Sequence, residues 1–354
     1  MSPALAALKY LQPGWFAVVM GLGGLSLAWH KAVPLIGEPA GQIAWAVGLL
    51  AALVFALLAL ATLLRGWRHA DAWAEDRRHP VRHTFIASLP VSAILLATVA
   101  VVLQGPSMAA LWLWGTGALA LLGVTLWVLA RWWHGNRPAG LKEGVDQPHG
   151  LVWDSVTPAL FVPIVGNVLV PLAGVPLGQL EWSAAQFGIG LLFWPVVMAL
   201  IVVRIALQGL WPERLLPTAY ILLAPPAVVG SSALQLGAPA LMVWALWGMA
   251  VFSLLWLATL TRRIAALPFG MTHWAMSFPL TAVAALTLRL ASPGSPLAVP
   301  GLALLALCTV VILALLAGTL RGLREGSLLV PEPAANVLPV AGDGHGAGLR
   351  KPPL

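Results

Sequence analysis

The stretch 217-PTAYILLAPPAVVGSSALQLG-237 is long and apolar enough to cross a membrane, yet two adjacent prolines, Pro225 and Pro226, stand at its middle. A spanning helix needs roughly 20 mostly apolar residues. Proline lacks an N–H and leaves the carbonyl four residues earlier without its helical donor. In lipid such a freed group is tolerated only where it is buried in protein or lines a wet cavity. This segment is therefore expected to sit inside a ring of other helices.

The same pattern recurs outward from it in both directions. Spans are read at 14–33, 42–64, 84–104, 107–133, 153–177, 184–207, 217–237, 239–261, 268–291 and 297–320. The odd-numbered spans are interrupted near their middles: Gly21, Gly23 and Gly24 in the first, Pro90 in the third, Pro163 and Gly166 in the fifth, Pro225 and Pro226 in the seventh, Pro279 in the ninth. The even-numbered spans contain only one mid-span proline, Pro195. The expected fold is an all-α polytopic membrane protein of ten transmembrane helices in five hairpins. Broken odd-numbered helices would form an inner pore ring, and smooth even-numbered helices an outer ring facing lipid. The breaks fall at a similar depth, with Pro90 somewhat nearer the cytoplasm.

Composition agrees. Of 354 residues, 60% are hydrophobic and 9% charged, against about 25% charged in average domains; mean hydropathy is +0.91. One membrane domain at 14–320 is read between a cytoplasmic N-terminus, 1–13, and a cytoplasmic tail, 321–354, that is Pro/Gly/Ala-rich and expected to be disordered from 331 onward. The net charge of +7 is scattered through short loops, so it reads as topology and not as a nucleic-acid surface. Cys308 is the one cysteine, which excludes an intrachain disulfide and a cysteine metal cluster. The first span is read as retained, not as a signal peptide.

Basic residues choose the orientation. Arg65, Arg68, Arg77, Arg78 and Arg82 follow span 2; Arg131, Arg137 and Lys142 follow span 4; Arg204 and Arg214 follow span 6; Arg262 and Arg263 follow span 8; Arg321 and Arg324 follow span 10. The alternate loops hold only Lys31, beside Glu38, and Arg289. The positive-inside rule then places both termini in the cytoplasm of a bacterial inner membrane. Trp67, Trp132, Trp133, Trp153 and Trp182 fall near span ends, as interface anchors do.

All twelve acidic residues lie in loops, at span edges or in the tail. Buried carboxylates are the usual equipment of proton relays and cation pathways. Their absence from the spans argues against a carboxylate antiporter, a cation pore and an acid/base enzyme. No zinc-binding His-Glu-x-x-His helix, nucleophile elbow or P-loop is present, so neither cofactor nor metal is expected. The polar residues of the broken spans are neutral (Ser26, Ser88, Ser92, Thr98, Asn167, Ser231, Ser232, Ser277, Thr281 and Thr287). Such groups either solvate an anion loosely or pack helices together. Phe278 adjoins the last kink, where an aromatic ring can block and dewet a pore. Arg82 and His83 stand at the cytoplasmic end of span 3, and Arg289 near the outer end of span 9; there they either steer anions or mark topology and snorkel. Arg204 is read as a snorkelling anchor, and His273 as a residue facing away from the pathway.

Several local sequences resemble the slow-type anion channel family, which includes bacterial tellurite-resistance and C4-dicarboxylate transporter proteins. They are Val165-Gly166-Asn167 after Pro163, Ala224-Pro225-Pro226-Ala227-Val228, and Trp274-Ala275-Met276-Ser277-Phe278-Pro279 with Thr281. Residues 16–29, opening at Phe16, and His79-Pro80-Val81-Arg82 through Phe85-Ile86-Ala87 are similar to its bacterial branch. Each motif is weak alone; five in order at the right spans are specific, and they cover residues 14–320. The resemblance implies a homotrimer with one pore per protomer through five inner helices, a gating phenylalanine at Phe278, and small inorganic or organic anions as permeants. The leading expectation is a gated passive anion channel. The alternative is a proton-coupled exporter of C4-dicarboxylate, sulfite or tellurite-type anions, in which His273 or His83 would have to titrate.

Overall fold

A proline in the first turn of a helix decides how four of the five broken segments are built. In the computed structural model, which describes residues 7–134, 151 and 153–330, the segment holding Pro225 and Pro226 opens as a 3-10 helix, Glu213–Leu223, and continues as an α-helix, Ala224–Gln235. The third segment runs as 3-10 over Arg82–Ala87 and α over Ser88–Gln104. The ninth runs as 3-10 over Met271–Met276 and α over Ser277–Leu290. The fifth alternates in short pieces: 3-10 over Pro158–Leu160, α over Phe161–Ile164, 3-10 over Val165–Leu169, α over Pro171–Gly174. Pro90, Pro163, Pro226 and Pro279 each occupy the third position of an α piece. There the missing N–H would have been unpaired in an isolated helix. The carbonyl it would have served belongs to the preceding turn, which tightens to i→i+3 bonding.

Helices of twelve or more residues are labelled α1 (Ala17–Lys31), α2 (Glu38–Arg68), α3 (Ser88–Gln104), α4 (Met108–His134), α5 (Leu180–Gln208), α6 (Ala224–Gln235), α7 (Ala240–Ala258), α8 (Ser277–Leu290) and α9 (Ala298–Arg324). No strand occurs among the described residues. Seven helical segments are long and apolar enough to cross a membrane: α2, α4, α5, α7, α9, and the composites Arg82–Gln104 and Glu213–Gln235. The first, fifth and ninth expected spans are shorter: α1 has 15 residues, α8 has 14, and Pro158–Gly174 is interrupted.

One expectation is corrected. Gly21, Gly23 and Gly24 do not break their segment, since α1 runs through all three without interruption. Gly21 and Gly24 let α8 approach closely instead, a β-carbon on Gly21 lying 2.2 Å from Ser277 Oγ, while Gly23 faces Leu95 and Val99 of α3. The true irregularity of this segment is its 3-10 opening, Pro13–Phe16. Pro195 leaves α5 continuous.

Burial separates the two sets of segments. Within an 18-residue apolar stretch of each, 72% and 83% of the residues of the composites Arg82–Gln104 and Glu213–Gln235 are buried, against 11% to 33% in the five long continuous helices. α2 buries mainly the small stripe Ala40, Ala44, Gly48 and Ala51, along which Ser26 Oγ donates to the Ala44 carbonyl at 2.7 Å. Small residues at such contacts let helix backbones come close where water cannot drive association. Each broken segment is joined to the following continuous helix by a short turn containing a glycine at positive φ: Gly37, Gly105, Gly178, Gly237 and Gly294, with φ of 76–89°. Only glycine enters that region without a β-carbon clash. Trp67 and Trp133 are strongly exposed, as interface anchors would be. The tail 331–354, and with it Arg137, Lys142, Glu143 and Asp146, lies outside the described residues.

Candidate functional site

All five broken segments meet around one central cavity. Its wall includes Ala17 and Met20 of α1, Phe85 and Val91 of the third segment, Phe161 and Gly166 of the fifth, Ile221 and Pro225 of the seventh, and Trp274, Phe278 and Pro279 of the ninth. None of the five long continuous helices contributes to it. The 3-10-to-α switches of the third, seventh and ninth segments all flank this space, so the interruptions share a level. The volume open to the centre of a water-sized sphere is about 60 Å³, room for only a few waters. Phe278 is 7% exposed and lines this space.

Of the residues singled out by sequence, the cavity gathers Ser88, Gly166, Pro225, Phe278 and Pro279. The others are placed elsewhere. Phe16 packs edge-on against Phe55 of α2 with ring centroids 5.8 Å apart. Gly21, Gly23, Gly24, Pro90, Pro163, Pro226, Ser277 and Thr281 are buried between segments and are not on the cavity wall.

The neutral polar residues turn out to bond the protein itself. Ser277 Oγ donates to the Trp274 carbonyl at 2.6 Å and Thr281 Oγ1 to the Phe278 carbonyl at 2.8 Å. Ser92 Oγ donates to the Phe16 carbonyl at 3.1 Å, and Ser232 Oγ to the Val168 carbonyl at 2.6 Å. Ser88 alone among the ten lies on the wall, and its hydroxyl donates to the carbonyls of Pro13 and Phe85. Backbone bonding also continues across the switches, from Ser88 N–H to Phe85 O, Ala224 N–H to Ile221 O, and Ser277 N–H to Trp274 O. The cavity is thus apolar, with neither free hydroxyls nor the first N–H of a half-helix turned into it at these points.

Asn167 is a clamp. Its Nδ2 donates to Thr125 Oγ1 of α4 at 2.8 Å and to the Ile164 carbonyl at 3.0 Å, and its Oδ1 accepts from Gln186 Nε2 of α5 at 2.8 Å. Thr125 Oγ1 donates on to the Pro163 carbonyl at 2.6 Å. This web holds the fifth segment open at its proline by supplying donors to the carbonyls beside the break.

At one end the cavity adjoins a vestibule of about 90 Å³ that shares Ala17, Phe85 and Ala275 with it. Arg82, Arg214 and His79 line this space, beside the starts of the first, third, seventh and ninth segments. The positive ends of several helix dipoles therefore point the same way here. Arg82 lines this space, but His83 does not. The His83 ring is buried edge-on to Trp127 at 5.9 Å, with Nδ1 2.9 Å from the His79 carbonyl. Arg289 staples α8 to α6, donating to Ser231 O at 3.1 Å and Gln235 Oε1 at 3.0 Å. Arg204 is likewise buried, bonded to the carbonyls of Trp153 and Gly209, so it is a staple and not a snorkelling anchor. His273 stacks on Phe269 and bonds Gly270, away from both spaces. Arg214, His79 and Phe85 were not marked as site residues by sequence. Arg214 stood out only by its place near the start of a broken span, whereas His79 and Phe85 belong to the motif His79-Pro80-Val81-Arg82 through Phe85-Ile86-Ala87, which gave them no individual role.

Arg82 is anchored by acids outside the spans. Its Nη1 meets Asp76 Oδ1 at 3.1 Å and its Nη2 meets Glu75 Oε1 at 2.7 Å. The other oxygen of Asp76 lies 2.7 Å from Arg65 Nη1, with both side chains almost fully buried. Arg65 Nε also donates to the Lys9 carbonyl at 3.1 Å. At the surface nearby, the Lys9 ammonium, 3.1 Å away, holds the Asp71 carboxyl below its ordinary value.

An apolar cavity walled by broken helices, beside a basic vestibule and with no carboxylate on its wall among the described residues, suits a multi-pass membrane protein that handles anions. A family model for the voltage-dependent anion channels (SLAC1) matches residues 10–320, and the chain belongs to that family of anion channels and transporters. An uncharacterized transporter of Methanocaldococcus jannaschii is 25% identical over 311 residues, covering 79% of this chain and 84% of the relative. A tellurite resistance protein TehA homolog of Haemophilus influenzae is 25% identical over 277 residues, covering 77% and 79%. The S-type anion channel SLAH2 of Arabidopsis thaliana is 25% identical over 228 residues, covering 62% of this chain and 40% of the plant protein.

Proposed function

We propose that this protein is a gated, passive anion channel of a bacterial inner membrane, with its pathway through the central cavity and Phe278 as the plug. One observation carries the reading: the five broken segments together wall one narrow apolar space whose mouth is basic. An apolar constriction blocks ions by dewetting, and displacing one ring is enough to wet it. Arginine at the mouth raises the local anion concentration, while the cavity wall holds no carboxylate to bind a proton or attract a cation.

The pathway requires ten spans in residues 14–320, and the helix geometry supports this count. A 3-10 turn rises about 2.0 Å per residue and an α-helix about 1.5 Å. On these values Pro13–Phe16 with α1 reaches ~31 Å and Met271–Met276 with α8 reaches ~33 Å, about the thickness of a bilayer core. The five positive-φ glycine turns fit five hairpins in series. Arginine clustering supports a cytoplasmic side for the vestibule and both termini, and the family resemblance supports a homotrimer. Purified protein in proteoliposomes tests the reading. Currents should reverse at the anion's equilibrium potential in nitrate, chloride and malate gradients, without dependence on an imposed pH gradient. Uphill uptake that follows the pH gradient would overturn it.

A further inference from the structure

We propose that three tryptophan–threonine hydrogen bonds hold the Phe278 plug in place, and that Thr319 and Thr309 of α9 are positioning residues of the gate. The proposal rests on the reading of Phe278 as the plug of an anion pathway.

The three bonds share one design. Trp274 Nε1 donates to Thr319 Oγ1 of α9 at 2.8 Å, Trp29 Nε1 of α1 to Thr309 Oγ1 of α9 at 3.2 Å, and Trp247 Nε1 of α7 to Thr287 Oγ1 of α8 at 3.0 Å. In each, the threonine hydroxyl donates to the carbonyl four residues earlier in its own helix, that of Leu315, Leu305 or Val283, at 2.8 Å. The hydroxyl proton is thus committed, and the oxygen is left to accept from an indole that can only donate. Every one of these bonds ends on α1 or on the segment that carries Phe278. Trp114 and Trp211, by contrast, donate to the backbone carbonyls of Val170 and Val156.

The placement of the bonds around the plug carries the argument. A phenyl ring has no polar atom, so only its backbone and the groups packed on it can hold it. Trp274 stands four residues before Phe278 and is wholly buried. The two rings rest on successive turns of α1: a β-carbon on Gly21 would lie 3.3 Å from Trp274 Cε3, and one on Gly24 3.1 Å from Phe278 Cδ2. Through Trp274, α9 holds the start of the ninth segment; through Trp29, the same helix holds α1. Thr287 ties the far half of α8 to α7. The plug-bearing segment is therefore fastened on both sides of Phe278, and the helix it presses on is fastened to α9 as well. Separation of α1 from α8, which would free the ring, strains the α9 bonds. Interhelical hydrogen bonds in a membrane are individually weak, so this fastening can be released.

Nitrate flux from proteoliposomes holding the full chain, normalised to reconstituted protein, tests the proposal. Thr319→Val and Thr309→Val keep the shape of the side chain and remove the acceptor. Each is expected to raise the resting flux about threefold, the scale of one interhelical hydrogen bond in a membrane. Thr319→Ser, which keeps the hydroxyl, should restore the wild-type flux. In a Phe278→Ala background neither valine should change the flux, because no ring is left to position, whereas a general packing defect would act alike in both backgrounds. Thermal unfolding in detergent, measured alongside, identifies a variant that fails to fold, and the other threonine then decides. A folded valine variant that leaks like wild type while Phe278→Ala conducts, or one that leaks more in both backgrounds alike, overturns the positioning role and leaves the plug standing. Phe278→Ala as tight as wild type overturns the plug, and the positioning role with it.

Discussion

Gly24 of α1 stands directly behind the Phe278 ring, so that a β-carbon on Gly24 would come within 3.1 Å of Phe278 Cδ2 and 2.2 Å of Thr281 Oγ1. The ring has helix backbone on one side and the cavity on the other. It can move only towards the cavity, or by separation of α1 from α8. Removing the ring should therefore enlarge and wet the constriction without disturbing this helix contact. Phe278→Ala is expected to raise anion conductance in a planar bilayer at least about tenfold, equivalent to ~1.4 kcal/mol off the barrier. A near-zero current from folded Phe278→Ala protein would remove the ring from the gate.

The same contact predicts a coupling between the two helices. Gly24→Ala gains about 1 kcal/mol of helix propensity but overfills the interface, which typically costs about 1–3 kcal/mol. Thr281→Ala removes the atom that the new methyl meets first. The double variant should recover part of the lost stability, with a coupling energy of about 0.5–3 kcal/mol, read from thermal unfolding in detergent. Strict additivity would show that α1 and α8 are not locked here.

What the sequence made legible follows from what proline and glycine do locally. Proline removes a specific backbone donor, so Pro90, Pro163, Pro226 and Pro279 marked four of the five interruptions correctly, and with them the contrast between broken and continuous segments. Glycine removes only a side chain, so Gly21 and Gly24 read equally well as a break or as a close contact; the partners that decide, Ser277 and Thr281, are more than two hundred residues away in sequence. The direction of a hydroxyl was equally hidden. Ser92 and Ser232 look like solvating groups in a list of residues, but each has a backbone carbonyl of another segment within reach. His79 and His83 are one helical turn apart, and only the packing of Trp127 against His83 settles which of them reaches the vestibule.

Asn167 offers a test that separates a clamp from a pore residue. Asn167→Ala leaves Thr125 and Gln186 with their remaining partners, the Pro163 and Ala118 carbonyls. The loss should therefore be moderate, about 2 kcal/mol for the bonds to the Ile164 carbonyl and between side chains. Reversal potentials in mixed nitrate and chloride should not shift. A changed selectivity at unchanged stability would place Asn167 in the pathway.

The buried pair of Arg65 and Asp76 behind Arg82 predicts an asymmetry between single and paired substitutions. Asp76→Ala strands Arg65, whose side chain is 2% exposed, and should cost about 3–5 kcal/mol, as breaking a buried ion pair does. Arg82, 18% exposed, has water within reach and contributes less to that loss. Replacing both buried partners, Arg65→Met with Asp76→Leu, removes the stranded charge and the desolvation together. It should regain most of the stability, less the bond from Arg65 Nε to the Lys9 carbonyl. A paired variant as unstable as Asp76→Ala would mean that the ion pair itself, and not the avoidance of a lone buried charge, stabilises this end of the protein.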